Sequence, residues 1–280
     1  MKKLDINNCF RSIPPAIDYV LPGMIHGTVG AIISPGASGK SFLALQLGIQ
    51  ISSGADVLGW ERPLNSGEVL LLAGEDPEVA LHARLHELGK QLSSSQREAV
   101  ANKFTIYPLV GELELPDLMA PVSEQGLIEI ARGKRLIIID TLRRFHSGNE
   151  NDSGNMSRVI KAMEYLANIT GASVIFLHHS SKSAALGGTV DEQQSSRGSS
   201  VLTDNVRWQA YLSTMSKSEA KDNKVNEASR RYYVRFGVSK QNYGPQFDDV
   251  WLERVQGGVL KIKTFSTDEC NNAWRFKNGH

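Results

Sequence analysis

Ile32-Ile33-Ser34-Pro35-Gly36-Ala37-Ser38-Gly39-Lys40-Ser41 sets an apolar run, a loop of small residues and the tripeptide Gly-Lys-Ser directly ahead of a helical stretch, Phe42 to Ile51. A nucleotide's β- and γ-phosphates must be met by several backbone N–H groups at once. Side chains as small as those of Gly36, Ala37, Ser38 and Gly39 leave room for that approach. Lys40 can then reach the terminal phosphates, Ser41 can set its hydroxyl on Mg²⁺, and the following helix turns its positive end toward the anion. Ser34 stands where the motif has its first glycine. Gly-Lys-Ser recurs by chance in chains of this length, so its context decides. Val29 to Ile33 reads as a short apolar strand before it, and Phe42, Leu45 and Ile49 follow at helical spacing, as a phosphate cradle requires.

Around this motif the chain is ordinary in bulk. Its 280 residues are 41% hydrophobic, enough for one large domain that buries about three quarters of its unfolded surface. With 31 basic and 30 acidic residues the net charge is +1, so any nucleic-acid contact has to come from a local patch. Cys9 and Cys270 lie at opposite ends without metal-ligand spacing and read as inert. There is no secretory pattern and no apolar run of about eighteen residues, which points to a cytoplasmic, reduced protein with no membrane partner.

Outward from the motif, strands and helices alternate. Residues 1–27, with Pro14-Pro15 and Asp18-Tyr19-Val20-Leu21-Pro22-Gly23, read as an extended arm with turns that packs on a neighbouring subunit. Residues 28–265 form the main domain and 266–280 a tail. Strands are expected at Glu68 to Ala73, Phe104 to Tyr107, Leu136 to Ile139 and Ser173 to Leu177. Helices are expected at Pro77 to Lys90, Ser93 to Ala101, Val122 to Arg132 and Asn155 to Thr170. That alternation predicts an α/β fold with a mostly parallel sheet covered on both faces. The Ser/Gly/Gln-rich stretch Ser180 to Ser200 reads as a long loop. Asn205 to Ser213, Tyr232 to Ser239, Val250 to Arg254 and Val259 to Lys263 then predict an antiparallel extension, the last two as a hairpin around Gln256-Gly257-Gly258.

Two further apolar runs end in acids. Leu136-Ile137-Ile138-Ile139-Asp140 has the form of a buried parallel strand delivering a carboxylate to its C-terminal edge, where Asp140 would hold Mg²⁺ through water. Val69-Leu70-Leu71-Leu72-Ala73-Gly74-Glu75-Asp76-Pro77 is the second. Glu75 suits the orientation or deprotonation of an attacking water, whereas Asp76 reads as the N-cap of the following helix. Val174-Ile175-Phe176-Leu177 ends in His178-His179. One of these histidines would sense the γ-phosphate while the other turns to the core or the next loop, because neighbours on a strand face opposite ways. Zinc is not expected, since no further His or Cys stands at ligand spacing.

The chain resembles the hexameric replicative helicases of IncQ-type broad-host-range plasmids, the RepA type, which are compact RecA-like, DnaB-type ring ATPases. The likeness runs from about Asp18 to Val259. It is carried by Asp18-Tyr19-Val20-Leu21-Pro22, Ser34-Pro35-Gly36 with Gly39-Lys40-Ser41, Glu75-Asp76-Pro77, and Asp140-Thr141-Leu142-Arg143-Arg144-Phe145-His146. It continues through Phe176-Leu177-His178-His179, Ser196-Arg197-Gly198-Ser199-Ser200-Val201-Leu202, Asp204-Asn205, Arg207-Trp208-Gln209, Phe236-Gly237-Val238-Ser239-Lys240 and Asn242-Tyr243-Gly244.

The resemblance implies a RecA-like P-loop core in a homo-hexameric ring that hydrolyses ATP with Mg²⁺ between subunits and moves 5′ to 3′ on single-stranded DNA. A separate primase and a separate origin-binding initiator would be partners. Carried over by position, Lys40 and Ser41 bind phosphates and Mg²⁺, Glu75 is the base and Asp140 the Mg²⁺-linked acid. Arg84 approaches the nucleotide, His178 or His179 is the sensor, and Arg207 is the finger inserted into the next subunit's site. Many DnaB-type rings use a Lys-x-Arg pair near the sheet edge; here Lys240-Gln241-Asn242 keeps only Lys240, which shifts the finger's role to Arg207. A guanidinium from a neighbour neutralises charge spreading onto the phosphoryl oxygens.

For DNA, the candidates are Arg143, Arg144 and His146 after Asp140, and Lys182 and Arg197 in the long loop. A few basic residues on loops suit contacts that are made and released each cycle without regard to sequence. The competing expectations are a RecA- or KaiC-like ATPase with a recombination or regulatory role, and a small-molecule kinase built on the same cradle.

Overall fold

The computed structural model describes residues 3–59, 65–121, 126–179, 201–244 and 248–265. The expected loop Ser180 to Ser200, with Lys182 and Arg197, and the tail 266–280, with Cys270, lie outside them.

The chain enters through helix α1 (Ile6–Arg11) and a small hairpin, β1 (Tyr19–Leu21) and β2 (Met24–Ile25). The arm is thus not extended throughout: the Asp5 carboxylate accepts from the Asn8 N–H at 3.1 Å and caps a short helix. Then follow β3 (Val29–Ser34), α2 (Lys40–Ser53), β4 (Glu68–Ala73), α3 (Glu78–Gly89), α4 (Ser94–Lys103) and β5 (Phe104–Pro108). After these come α5 (Leu127–Ala131), β6 (Lys134–Asp140), α6 (Ser153–Thr170) and β7 (Ser173–His179). Past residue 200 the described elements are α7 (Val201–Asn205), β8 (Trp208–Thr214), α8 (Lys217–Asp222), β9 (Tyr233–Gln241), β10 (Val250–Arg254) and β11 (Leu260–Lys263). The expected helix Val122 to Arg132 is described only from Leu127, after Gly126 at φ 66°.

The main sheet has nine strands in the order β11-β10-β9-β8-β3-β7-β6-β4-β5. The six from β8 to β5 run parallel, and β9, β10 and β11 add antiparallel at one edge. This is the expected α/β class with its antiparallel extension. The order itself was not expected: β7 separates the phosphate-loop strand β3 from β6.

Alternation along the strands divides the core into two layers. Ile32, Val69, Leu71, Leu136, Ile138, Ile175 and Leu177 face α2, while Ala31, Ile33, Leu70, Leu72, Ile137, Ile139, Val174 and Phe176 face α5 and α6. α2 is buried nearly all round, Gln46 and Gln50 included. Gln46 offsets that burial by gripping β11, donating to Leu260 O at 2.7 Å and accepting from the Leu260 N–H at 2.9 Å. Gly48 lies so close to Phe104 that a Cβ would stand 2.2 Å from its ring. Thus α2 lies flat on the sheet with its N-terminus at the C-terminal edge of the parallel strands.

Candidate functional site

At that edge β3 gives way to the loop Pro35 to Gly39, which α2 follows from Lys40. Ala37 at φ 59° and Gly39 at φ 101° turn the loop back on itself. The serine in place of the first glycine has a use: Ser34 is fully buried and Ser38 Oγ donates to its hydroxyl at 2.7 Å, bracing the loop across its base. Lys40 lies across the opening. Its Nζ donates to Pro35 O at 3.2 Å and stands 3.3 Å from His179 Nδ1. Burial lowers the ammonium to about 8, against the opposing pull of Asp140 and Glu75.

Strand parity brings the other groups in. On β6, Leu136 and Ile138 face α2, so Asp140 does too. It is 3% exposed, its Oδ1 has no hydrogen-bond partner among the described residues, and burial raises the carboxyl to about 6 despite a hydrogen bond from Ser41. On β7 the same parity separates the two histidines. His179 faces the loop and Lys40. His178 is buried on the other side, with its Nδ1 3.9 Å from Glu150 Oε1. The polar end of the pocket therefore takes His179.

Glu75 follows β4 and accepts from Thr141 Oγ1 at 2.7 Å, with His179 Nε2 3.9 Å away. His179 first, then Thr141 and the charge of Lys40, hold its carboxyl down at about 2. Asp76 is not the helix N-cap that was expected: Pro77 occupies that position, and Asp76 instead pairs with Arg84 on α3, whose guanidinium lies over the Phe42 ring at 5.5 Å. A carboxylate within reach of a guanidinium two turns on is worth more paired than as a cap.

Together these residues line a cleft of about 410 Å³, formed by Ala37 to Phe42, Glu75, Arg84 and His179, and closed by Arg254 and Gly258 of the C-terminal hairpin. Phe42, Thr141, Arg254 and Gly258 were not anticipated. Glu75, Thr141 and Asp140 adjoin in space, which nothing in their spacing along the chain announces. Among the described residues no group of His, Cys, Asp and Glu suits a metal held by protein alone. The oxygens of Ser41 and Asp140, one of them unpartnered, instead suit Mg²⁺, which keeps several waters and takes the rest of its shell from phosphate.

The remaining candidates lie elsewhere. Arg207 is exposed just before β8, and Trp208 pairs with Gly30, so Arg207 sits about 13 Å or more along the sheet from the phosphate loop. Lys240 is at the same end, its Nζ donating to Asp204 O at 2.7 Å. Neither lines the pocket of its own chain. Arg143 and Arg144 are exposed on the turn after β6, with Arg144 Nε donating to Gly74 O at 3.2 Å and Arg143 to His146 O at 3.2 Å. His146 corrects the DNA expectation. Its side chain is wholly buried, with Nδ1 3.2 Å from Gly148 O and Nε2 3.9 Å from Glu150, so it is closed to a ligand outside the fold.

Residues 1–185 match the family model AAA_25, described as an AAA domain. The fold is similar to a solved helicase ATPase domain, with a TM-score of 0.60, 16% identity, and 92% of this chain and 96% of that one covered. It is also similar to a DnaB-like replicative helicase solved with attention to its interactions with primase, at TM-score 0.57 and 15% identity, over 85% of this chain but only 58% of that one. A third likeness is to the RadB recombinase, at TM-score 0.52 and 12% identity, over 85% and 92%.

Proposed function

We propose, for a chain that belongs to the AAA domain family, an ATP-driven DNA helicase of the DnaB type that works in plasmid replication as a homo-hexameric ring, with ATP bound between subunits and movement 5′ to 3′ on single-stranded DNA. The observation that carries this reading is the convergence of Lys40, Ser41, Glu75, Asp140 and His179 on one cleft at the sheet edge. Likeness of fold to the helicase ATPase domain and to the DnaB-like helicase supports it.

In that reading Gly36 to Ser41 cradle the phosphates and Lys40 leaves the Pro35 carbonyl for the terminal ones. Ser41 and Asp140 hold Mg²⁺, which supplies positive charge between phosphate oxygens. Glu75, held near 2, is too weak a base to take a proton at the outset, so it orients the attacking water and accepts the proton as the bond breaks. His179, between Lys40 and Glu75, is the group placed to register whether a γ-phosphate is present. Arg84 approaches from α3. Arg207, with Lys240 beside it, serves the neighbouring subunit's cleft. Arg143 and Arg144, and Lys182 and Arg197 from outside the described residues, meet DNA phosphates.

The arm 1–27 packs on a neighbour, which supports assembly: Leu4, Ile6, Phe10 and Ile13 are 72%, 60%, 83% and 93% exposed, a cost that a partner surface removes. The body of the protein is then 28–265, followed by the tail 266–280. A separate primase and a separate origin-binding initiator are the proposed partners, and the cytoplasm the proposed compartment. Among the described residues no helix is long and apolar enough to cross a membrane.

The test is steady-state ATP hydrolysis with and without single-stranded DNA, together with strand separation. Stimulated hydrolysis and unwinding are expected, both abolished in Lys40→Ala. A DNA-indifferent monomer, or unchanged turnover in Lys40→Ala, refutes the reading. The likeness to the RadB recombinase favours one alternative, a recombinase-type or regulatory ATPase. Electron microscopy on DNA separates the two, since an interface that closes gives rings and one that does not gives filaments.

A further inference from the structure

Arg254 is the last residue of β10, 217 positions from the loop it touches. Its Nη2 donates to Ala37 O at 3.2 Å and stands 3.3 Å from where a Cβ on Gly39 would be. Two anchors hold it there. Gln46 clasps Leu260 on β11 through both backbone groups, and the hairpin turn packs against the neighbouring helices at its glycines. A Cβ on Gly258 would meet the Phe42 ring at 2.8 Å, and one on Gly257 would meet Glu87 Cγ at 2.5 Å. The guanidinium is therefore delivered to the mouth of the cleft by packing. Among the described residues it has no carboxylate partner: its one hydrogen bond goes to a neutral carbonyl, and burial alone pulls its pKa below the usual value.

A half-buried guanidinium with only a backbone carbonyl for company is poorly compensated. Arg84, lining the same cleft, has Asp76. Arg254 faces the small-residue loop, which presents N–H groups and no negative charge.

We infer that Arg254 is a phosphate ligand supplied in cis, by which the C-terminal hairpin of the same chain closes on the polyphosphate of the bound nucleotide. This rests on reading the cleft as a nucleotide site. It gives the antiparallel extension a purpose: an element on the far side of the sheet from β4 and β6 completes the cradle, independently of any arginine from a neighbour. Planar donors on a guanidinium can keep Ala37 O and still reach a phosphate oxygen.

The experiment is calorimetric titration of the full chain with Mg²⁺ and ADP, and separately with inorganic tripolyphosphate, for wild type, Arg254→Gln, Arg254→Lys and Lys40→Ala. Glutamine keeps a donor for Ala37 O and removes the charge, so the hairpin stays docked, as an unchanged melting temperature without ligand verifies. Arg254→Gln is expected to weaken both ligands about 10- to 100-fold, the worth of a hydrogen bond to a charged group, with Arg254→Lys intermediate. ADP affinity within twofold of wild type in Arg254→Gln overturns the inference. So does a loss confined to ADP with tripolyphosphate unaffected, which would put Arg254 on the base or sugar. Lys40→Ala separates the two levels of failure. Weak binding in Lys40→Ala beside normal binding in Arg254→Gln removes only the role of Arg254, whereas normal binding in Lys40→Ala removes the nucleotide reading with it. Should Arg254→Gln melt below wild type, Arg254→Lys carries the test. Lysine keeps the charge and a donor but not the planar fork, so weaker binding of both ligands is expected, and wild-type affinity for both overturns the inference.

Discussion

Asp140 is the costliest group in the cleft to keep ionised. Burial lifts its carboxyl to about 6, with Asp76 and Glu75 adding to the rise and Ser41 and Lys40 opposing it. A carboxyl raised in the folded state binds its proton more tightly there than when unfolded. Its contribution to stability is therefore complete below the unfolded value of 3.8 and is lost as pH rises through about 6. Asp140→Asn, neutral at every pH, is expected to melt higher than wild type at neutral pH without ligand, by on the order of 1 kcal/mol or more. The advantage should fade as the melts are taken below about pH 4. The same variant should lose ATP hydrolysis about 100-fold or more. A variant that melts lower than wild type at neutral pH would mean that the carboxylate is better compensated than its orphaned oxygen indicates. Much of the site at this scale is legible in the sequence, since Lys40, Ser41, Glu75 and Asp140 each end or follow an apolar run. The burial of His146 is not, because a polar residue after a strand looks the same facing solvent or facing Glu150. Arg254 is not either, because its partner Ala37 is 217 positions away and no local pattern ties them.

Among the elements, the small β1–β2 hairpin shows how a peripheral piece is fixed to a parallel sheet. Asp18, just before β1, takes both arms of Arg135 on β6, at 2.8 and 2.6 Å, and Asn65 Nδ2 donates to it at 3.0 Å. Arg135 is only 8% exposed, so the pair is half inside the fold. Arg135 chiefly, against some desolvation, holds the Asp18 carboxyl at about 2, below its ordinary value of 3.8. A depressed carboxyl contributes stability above its unfolded value and loses it as pH falls through the folded one. Asp18→Asn is expected to cost about 2 kcal/mol in urea melts at neutral pH, since it strands a buried guanidinium. The gap from wild type should narrow between about pH 4 and pH 2. Equal stability at neutral pH would mean that Asn keeps both contacts to Arg135. A second element-scale prediction concerns α2. Gly48→Ala would set a methyl 2.2 Å from the Phe104 ring, and overpacking should cost about 1–3 kcal/mol in the same melts despite alanine's better helix propensity. The strands that pack here are readable almost to their ends, because buried parallel strands are unbroken aliphatic runs. Their spatial order is not: alternation of strand and helix says that the sheet is parallel, but not that β7 lies between β3 and β6. The Asp5-capped α1 escaped notice because its six residues bury nothing and leave no apolar period.

At the scale of the whole molecule, the cleft and Arg207 lie at opposite ends of the sheet. Lys40, Glu75 and Asp140 stand at the C-terminal edge of the parallel strands, while Arg207 precedes β8 at the other, exposed and with Lys240 near it. A rigid chain cannot bring Arg207 into its own cleft without taking β8 out of register with β3. If Arg207 acts in catalysis, it acts on another copy, which is the arrangement proposed for the ring. Arg207→Ala should then leave ADP affinity close to wild type and cut hydrolysis about 10³- to 10⁵-fold, the worth of an arginine that stabilises a transferring phosphoryl group. A loss of activity alone would not separate a trans finger from a folding defect, so the decisive measurement mixes two inactive proteins. Lys40→Ala lacks a working cradle but keeps its Arg207; Arg207→Ala lacks the finger but keeps its cradle. Where an Arg207→Ala cleft faces the finger of a Lys40→Ala neighbour, one complete site exists. Mixed assemblies, verified by native mass, should regain hydrolysis in proportion to such interfaces, with a maximum near equal proportions. Assemblies that mix and stay inactive would remove Arg207 from the neighbouring site. An Arg207→Ala protein that, on its own, hydrolyses at the wild-type rate would remove it from catalysis altogether.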